Sequence, residues 1–190
     1  MNKRVCFLRG VNVGGRHLLP MQDLGDILQR LGCTDIATYI QSGNVVFRHD
    51  ESDAGKLETL IGQGVQSRFG FKPRVLVMSV EDFEAAVAAN PYMDAKTVHV
   101  CFLSARPAAP DLRTLGTHKS PREEFALIDK VFYLHAPDGI GRSKLAANIE
   151  KLLGVPATSR NWRTAQKVLQ MARSLDAQER PRRHEPAVRD

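Results

Sequence analysis

The sequence predicts an α+β protein in which the element order βαββαβ occurs twice and the two resulting lobes pack together. Apolar runs of strand length alternate with segments whose apolar residues recur at helical spacing. The strands at residues 5–8, 75–78 and 98–103 are apolar at nearly every position, which indicates that both faces of each sheet are buried. The helices of one ferredoxin-like (βαββαβ) lobe cover one face only, so the other lobe is expected to cover the second face.

The first lobe is predicted to span residues 1–79. Its four strands are expected at residues 5–8, 36–40, 44–47 and 75–78. Pro20 suits the first position of a helix, and apolar residues follow it at helical spacing until Gly32 ends the helix. A second helix is expected from about residue 53 to residue 69, and Gly70 ends it. The turn at residues 41–43 joins the two middle strands as a hairpin.

The second lobe, residues 97–173, repeats this order after a connecting helix within residues 80–96. Ser79 and Asp82 have the spacing of a capping box at the start of the connecting helix. Strands are expected at residues 99–103, 125–128, 131–135 and 155–158, and helices at residues 111–115 and 143–153. A terminal helix carries Trp162 on its apolar stripe. Residues 174–190 show no apolar periodicity and are interpreted as a mobile tail.

Composition excludes several classes of protein. No apolar run reaches the roughly 18 residues of a membrane-spanning helix, and the first apolar stretch is too short for a signal peptide. A cytoplasmic protein without a membrane partner is therefore expected. Three widely spaced cysteines and six dispersed histidines form neither a disulfide framework nor a metal-binding pattern, so no metal and no cofactor are predicted. The sequence identifies no acid–base pair, and it leaves both catalysis and oligomeric state open.

Much of the positive charge lies toward the C-terminus. The net charge is +6, and residues 139–173 contain seven basic residues against one acidic residue, Glu150. A local excess of this kind attracts phosphate, carboxylate or a nucleic-acid backbone. The alternative is a solvated basic face without a specific partner.

The glycine-rich segment at residues 9–17 follows a strand and precedes a helix, a position where backbone amides are presented to ligands. Gly10 and Gly15 have P-loop spacing, but Arg16 and His17 replace the Lys-Ser/Thr pair, which argues against a nucleotide-binding P-loop. The segment is interpreted instead as a site for a small anionic ligand. Its predicted ligand-binding residues are Arg9, Asn12, Gly14, Gly15 and Arg16. The alternative is that the glycines only satisfy positive φ and that Arg9 pairs with a carboxylate.

Two further groups, both in the second lobe, are candidate ligand-binding residues. The first group is Arg142, Ser143 and Lys144, at the start of a helix that Ser143 can cap. The second group is Arg160, Asn161 and Arg163, which are expected at the start of the terminal helix with both arginines on its outer face. The same basic helices also suggest a helix-turn-helix that binds nucleic acid.

Three motifs in the sequence resemble one known family. They are residues 8–15 (Leu-Arg-Gly-Val-Asn-Val-Gly-Gly), 39–47 (Tyr-Ile-Gln-Ser-Gly-Asn-Val-Val-Phe) and 160–164 (Arg-Asn-Trp-Arg-Thr). Together they are similar to the bacterial family of domain of unknown function 1697, over residues 3–172. The resemblance implies a small cytoplasmic protein built from ferredoxin-like lobes, and it implies no activity. His17 departs from the family, in which an asparagine often follows the Gly-Gly-basic triplet.

The glycine loop and the hairpin at residues 41–44 are expected at opposite ends of their sheet, because parallel first and third strands would separate them. Any site that they share would then need the second lobe. Three functions follow from these observations. They are binding of a small anionic ligand, binding of nucleic acid, and a structural or partner-binding role in which the motifs only stabilise the packing of the lobes.

Overall fold

The computed structural model describes residues 1–93 and 95–175. Its strands are β1 (Asn2–Arg9), β2 (Thr34–Tyr39), β3 (Asn44–His49), β4 (Arg74–Ser79), β5 (Val98–Leu103), β6 (Glu124–Ile128), β7 (Val131–His135) and β8 (Ala157–Asn161). Its α-helices are α1 (Met21–Arg30), α2 (Ala54–Phe69), α3 (Val80–Ala88), α4 (Leu112–His118), α5 (Lys144–Leu153) and α6 (Trp162–Ser174). Short 3₁₀ helices lie at Ala95–Thr97 and Ile140–Arg142.

The strands form two four-stranded sheets of the same topology. Their orders are β2-β3-β1-β4 and β6-β7-β5-β8. The neighbouring strands of both sheets are antiparallel. Because β1 and β5 hold the same position in their sheets, the element order βαββαβ recurs in space as well as in sequence. The prediction of an α+β fold with two ferredoxin-like lobes in pseudo-repeat is confirmed.

The two sheets face each other across a central core. Val5 and Phe7 of β1 enter this core from the first lobe, and Phe102 of β5 enters it from the second. The rings of Phe7 and Phe102 stack with their centroids 5.1 Å apart. Residues of α3 and α6 complete the central core, whereas α1 and α2 cover the outer face of the first sheet and α4 and α5 that of the second. Both faces of the central strands are therefore buried, as their continuous apolar sequence predicts.

Two of the predicted ligand-binding residues cap helices. The Ser143 hydroxyl accepts a hydrogen bond from the Ala146 N–H at the start of α5, at 2.9 Å. Oδ1 of Asn161 accepts one from the Thr164 N–H at the start of α6, at 2.8 Å. Each side chain thereby satisfies a backbone donor that has no partner within its own helix.

The last strand departs from the prediction. β8 is Ala157–Asn161 instead of residues 155–158, and it pairs with β5. Its sequence, Ala-Thr-Ser-Arg-Asn, is almost entirely polar, so hydrophobic periodicity gives no signal for it. Arg160 consequently lies in a strand and not at the start of the terminal helix, which is a correction.

The predicted tail begins too early. Ser174 ends α6, and Leu175 is buried in the central core. The rest of that tail, residues 176–190, lies outside the described residues. The division of the chain into residues 1–79, 80–96 and 97–173 stays a prediction.

Candidate functional site

The glycine-rich loop between β1 and α1 forms a compact turn. Gly10, Gly14 and Gly15 all have positive φ, between 57° and 78°. The N–H of Arg16 donates to the carbonyl of Val13 at 3.0 Å. The glycines therefore serve the backbone conformation, which is the alternative that the sequence leaves open.

Asn12 joins this loop to the hairpin between β2 and β3. Its side-chain N–H group donates to the carbonyls of Leu19, at 2.8 Å, and Gln41, at 2.9 Å. Its Oδ1 accepts the N–H of Leu19 at 2.8 Å. Both the nitrogen and the oxygen of the Asn12 side-chain amide thus form hydrogen bonds within the protein.

The loop and the hairpin lie at the same end of the first sheet, which corrects the prediction of opposite ends. β1 and β3 are antiparallel, with Phe7 opposite Asn44, so the end of β1 meets the start of β3. The N–H of Leu8 donates to the carbonyl of Gly43 at 2.8 Å. A Cβ atom at Gly43 would lie 2.7 Å from Cβ of Leu8, so this position needs glycine.

Arg160 crosses from the second lobe into this junction. Its Nη2 donates to the carbonyls of Leu8, at 2.8 Å, and Ser42, at 3.1 Å, and its Nε donates to Oδ1 of Asn44. The guanidinium also lies over the ring of Phe7, 4.9 Å from the ring centroid. Burial lowers the pKa of Arg160 to about 10. The three motifs that carry the family resemblance therefore meet at this arginine, which holds the two lobes together.

Arg9 makes a second contact between the lobes. Its Nη1 donates to Oε1 of Glu150 and, at 2.9 Å, to the carbonyl of Ala157. Glu150 also accepts from Arg74 at 3.1 Å and from the N–H of Ala157 at 2.8 Å. Burial opposes the ionisation of Glu150, but the hydrogen bonds outweigh it and lower the pKa of this carboxyl. Arg9 thus pairs with a carboxylate.

Four other predicted ligand-binding cations are exposed and lie on separate elements: Arg16, Arg142, Lys144 and Arg163. Within residues 1–93 and 95–175 none of the four forms an ion pair. The strand β8 separates α5 from α6. A helix-turn-helix needs two helices joined by a short turn, so this pair does not form one, which corrects the prediction.

A cleft of about 630 Å³ lies between the lobes along β4. Its walls are β4 with the starts of α2 and α3 on one side, and the end of β5 with the hairpin between β6 and β7 on the other. Leu76, Ala86 and Tyr133 contribute apolar surface. The Tyr133 hydroxyl donates to the carbonyl of Ala86 in α3 at 2.5 Å, and burial raises the pKa of this tyrosine to about 12.

Arg4 of β1 lines this cleft although it is only 7% exposed. Its Nη2 donates to the carbonyls of Glu51, at 2.9 Å, and Ser52, at 3.0 Å. Its Nε is buried and has no hydrogen-bond partner. In the described part of the chain no acidic side chain forms an ion pair with it. Arg4 therefore keeps a positive charge away from water without a counter-ion, an arrangement that destabilises a folded protein.

Three acidic side chains share the cleft with Arg4 and Lys130: Glu58, Asp82 and Asp129. Oε1 of Glu58 accepts the N–H of Val77 at 2.9 Å, which satisfies a donor on the edge strand β4. Burial raises the pKa of the Glu58 carboxyl. Asp82 lies in the first turn of α3, and Asp129 lies in the turn between β6 and β7, 3.8 Å from Arg106.

Sequence reasoning missed Arg4, because the first predicted strand begins at residue 5. The signal that identifies it is the two-residue alternation of a strand. Arg4 shares a face of β1 with Cys6 and Leu8, which are buried under α1 and α2. A charged residue in phase with buried apolar residues indicates a buried charge.

The cysteines do not supply a reactive thiol. Cys6, Cys33 and Cys101 are free and buried. Burial raises the pKa of Cys33 and of Cys101 to about 11, and it raises the pKa of Cys6 as well, so the nucleophilic thiolate form is suppressed. Among the residues that the structure describes, no three His, Cys, Asp or Glu side chains group as metal ligands. No helix in the same ranges is long and apolar enough to cross a membrane.

The fold and the cleft together define a two-lobed α+β protein whose ferredoxin-like lobes enclose a candidate ligand site. The sequence model of the family described as "Protein of unknown function (DUF1697)" matches residues 1–133. The chain belongs to that family. No curated protein matches the chain.

A solved structure shows the same fold. The chain is similar to the conserved bacterial protein SP0830 from Streptococcus pneumoniae, with a TM-score of 0.68 and 24% sequence identity. The match covers 91% of this chain and 99% of that one. At this identity the likeness concerns the architecture of both lobes and not their chemistry.

Proposed function

We propose that the protein binds a small organic anion in the cleft between its lobes, with the Arg4 guanidinium as counter-ion. The ligand class is the one that the charge pattern predicts, but we propose the cleft as its site instead of the glycine loop. The loop has less to offer an anion, because Arg9 pairs with Glu150 and Asn12 is engaged within the protein. The observation that carries the proposal is the buried guanidinium of Arg4 without a counter-ion.

The hydrogen-bonding capacity of Arg4 supports this role. Among the described residues only Nη2 of its three side-chain nitrogens has hydrogen-bond partners. A carboxylate or phosphate would neutralise the charge and accept hydrogen bonds from the planar guanidinium. Binding would therefore remove a destabilising feature of the free protein.

The size and lining of the cleft favour an organic ligand over an inorganic ion. Its volume of about 630 Å³ falls within the roughly 300–1,000 Å³ typical of small-molecule sites. Ala54 and Val77, which lie on the same side of the first sheet as Arg4, offer apolar surface to the body of such a ligand. A purely structural role accounts for Arg9 and Arg160, which join the lobes, but it leaves the partnerless Nε and the uncompensated charge of Arg4 unexplained.

Calorimetric and thermal-shift titrations with valerate, acetate and inorganic phosphate test the proposal. We expect saturable binding with one valerate per chain, a rise in Tm, and weaker responses to acetate and phosphate. The Arg4→Gln variant should lose the response. Arg16→Gln is the matched control, because Arg16 is an exposed cation outside the cleft, and it should respond like the wild type.

A second variant leaves Arg4 in place. Ala85 is exposed on α3 and lines the cleft, so Ala85→Phe should fill the space and block valerate without touching the guanidinium. If none of the three anions binds saturably, or if both Arg4→Gln and Ala85→Phe bind valerate as the wild type does, the proposal is wrong.

A further inference from the structure

We infer that the ligand of the cleft is a zwitterion, with its anionic group at Arg4 and a cationic group at Asp82. This inference rests on the proposed function and specifies the substrate class of the same site. The charges around the cleft support it. Arg4 and Lys130 contribute two positive charges, whereas Glu58, Asp82 and Asp129 contribute three negative ones. With three acids against two cations, the cleft favours a ligand that carries a cation as well as an anion over a ligand with two anionic groups.

The positions of Arg4 and Asp82 make them the two binding points. Arg4 lies opposite Ser79 in the pairing of β1 with β4. The Ser79 hydroxyl accepts the N–H of Asp82 at 3.0 Å, which fixes Asp82 in the first turn of α3 next to that strand end. The two charged side chains thus line one end of the cleft without pairing with each other in the described structure.

The other two acids are less suited to binding a cation. Glu58 accepts the N–H of Val77, so its carboxylate already holds the edge of β4. Oδ1 of Asp129 lies 3.8 Å from Nε of Arg106, and both side chains are exposed. Asp82 is exposed and has no ion pair within residues 1–93 and 95–175. It is therefore the carboxylate that can receive an ammonium group of a ligand.

The chemical class that fits is an amino acid with its amino and carboxyl groups separated by a short apolar chain. The carboxylate would bind the guanidinium of Arg4, and the ammonium group would bind Asp82. The chain between them would lie along the end of the edge strand β4, at Met78 and Ser79. Discrimination against dicarboxylates comes from repulsion by the acids of the cleft, and discrimination against simple carboxylates comes from the ion pair that they cannot form with Asp82.

Three acids with the same five-carbon chain test this: δ-aminovalerate, valerate and glutarate. They differ only in the terminal group, which is an ammonium, a methyl or a carboxylate. In calorimetric titrations of the full chain at pH 7 we expect δ-aminovalerate to bind about tenfold more tightly than valerate, and glutarate to bind most weakly.

Two variants assign the preference to Asp82. Asp82→Asn should reduce the preference for δ-aminovalerate over valerate to about onefold while valerate affinity stays the same or rises. Glu81→Gln is the matched control, because Glu81 is the neighbouring exposed acid on α3 and does not line the cleft, and it should keep the wild-type preference.

The failure of this inference is distinguishable from the failure of the proposed function. If glutarate or valerate binds at least as tightly as δ-aminovalerate, and binding still depends on Arg4, the inference of a zwitterionic ligand is wrong. The proposed anion site is then retained. The inference of a zwitterionic ligand is also wrong if Asp82→Asn keeps the full preference for δ-aminovalerate over valerate. If no member of the series binds, both proposals are wrong.

Discussion

Arg160 and Arg4 lie on strands of different lobes, and both withdraw a guanidinium from bulk water. Arg160 donates to three acceptors of the first lobe and lies over the ring of Phe7. Arg4 donates through one nitrogen only, and its buried Nε has no partner. The difference teaches that two arginines withdrawn from water in one protein can differ in role: Arg160, with its acceptors, fixes the packing of the lobes, whereas the partnerless Nε of Arg4 is the observation on which the proposed anion site rests.

The largest expected effect is the loss of the Arg160 contacts. Arg160→Ala leaves the carbonyls of Leu8 and Ser42 without their donor, and we expect a loss of about 3 kcal/mol in the free energy of unfolding. Urea denaturation measures it. Arg4→Gln should lose less than about 1 kcal/mol, because it also removes an uncompensated charge. Equal losses in the two variants would contradict the distinction between these arginines.

The hairpin that receives Arg160 gives the next largest effect. Gly43→Ala should lose about 2 kcal/mol, because φ is positive at this position and the new Cβ would overlap Leu8. Gly70→Ala is the matched control. Its φ is also positive, but nothing lies within 4 Å of the new Cβ, so a loss of about 1 kcal/mol is expected. Similar losses in thermal or urea unfolding would show that the close approach of the hairpin to β1 is unimportant.

The fold could be predicted from sequence, whereas the candidate site could not. Continuous apolar strands such as residues 5–8 and 98–103 indicate burial on both faces, and the structure confirms it. The polar strand β8 carries no such signal, so Arg160 was expected on a helix. The site depends on which backbone carbonyls an arginine reaches after folding. Periodicity does not report that information. Extending the first predicted strand by one residue would place Arg4 in phase with Cys6 and Leu8, but it would not show that the guanidinium lacks a counter-ion.

The exposed contact of Arg9 with Glu150 should contribute less to the free energy of unfolding than the contacts of Arg160. Arg9 is 41% exposed, and we expect Glu150→Gln to lose about 0.5–1 kcal/mol at pH 7. Because folding lowers the pKa of Glu150, its contribution is present above the ordinary pKa of a glutamic acid. It is lost as pH falls through the lowered value. The stability difference between wild type and variant should therefore vanish in acid, and a difference that grows there would contradict this account.

The smallest expected effect concerns the cleft itself. Burial raises the pKa of Glu58, so its ionised form destabilises the folded state above the ordinary pKa. Glu58→Gln keeps an acceptor for the Val77 N–H and should raise Tm by about 1 °C at pH 7. This gain should shrink as pH falls through the raised pKa. A lower Tm of the variant at pH 7, measured by scanning fluorimetry, would show that Glu58 has an ionic partner in the cleft.

The position of β8 and α6 after residue 133 has a consequence for dividing this protein into fragments. The family match ends at residue 133, before α5, β8 and α6. A fragment cut there would uncover Phe7 and Phe102, because α6 would no longer shield them, and it would leave β5 without its neighbour β8. An exposed strand edge of this kind presents unpaired backbone N–H and C=O groups, which can pair with strands of other chains. The segment by which relatives are recognised is thus shorter than the segment that can fold, and expression of the shorter one should yield aggregates.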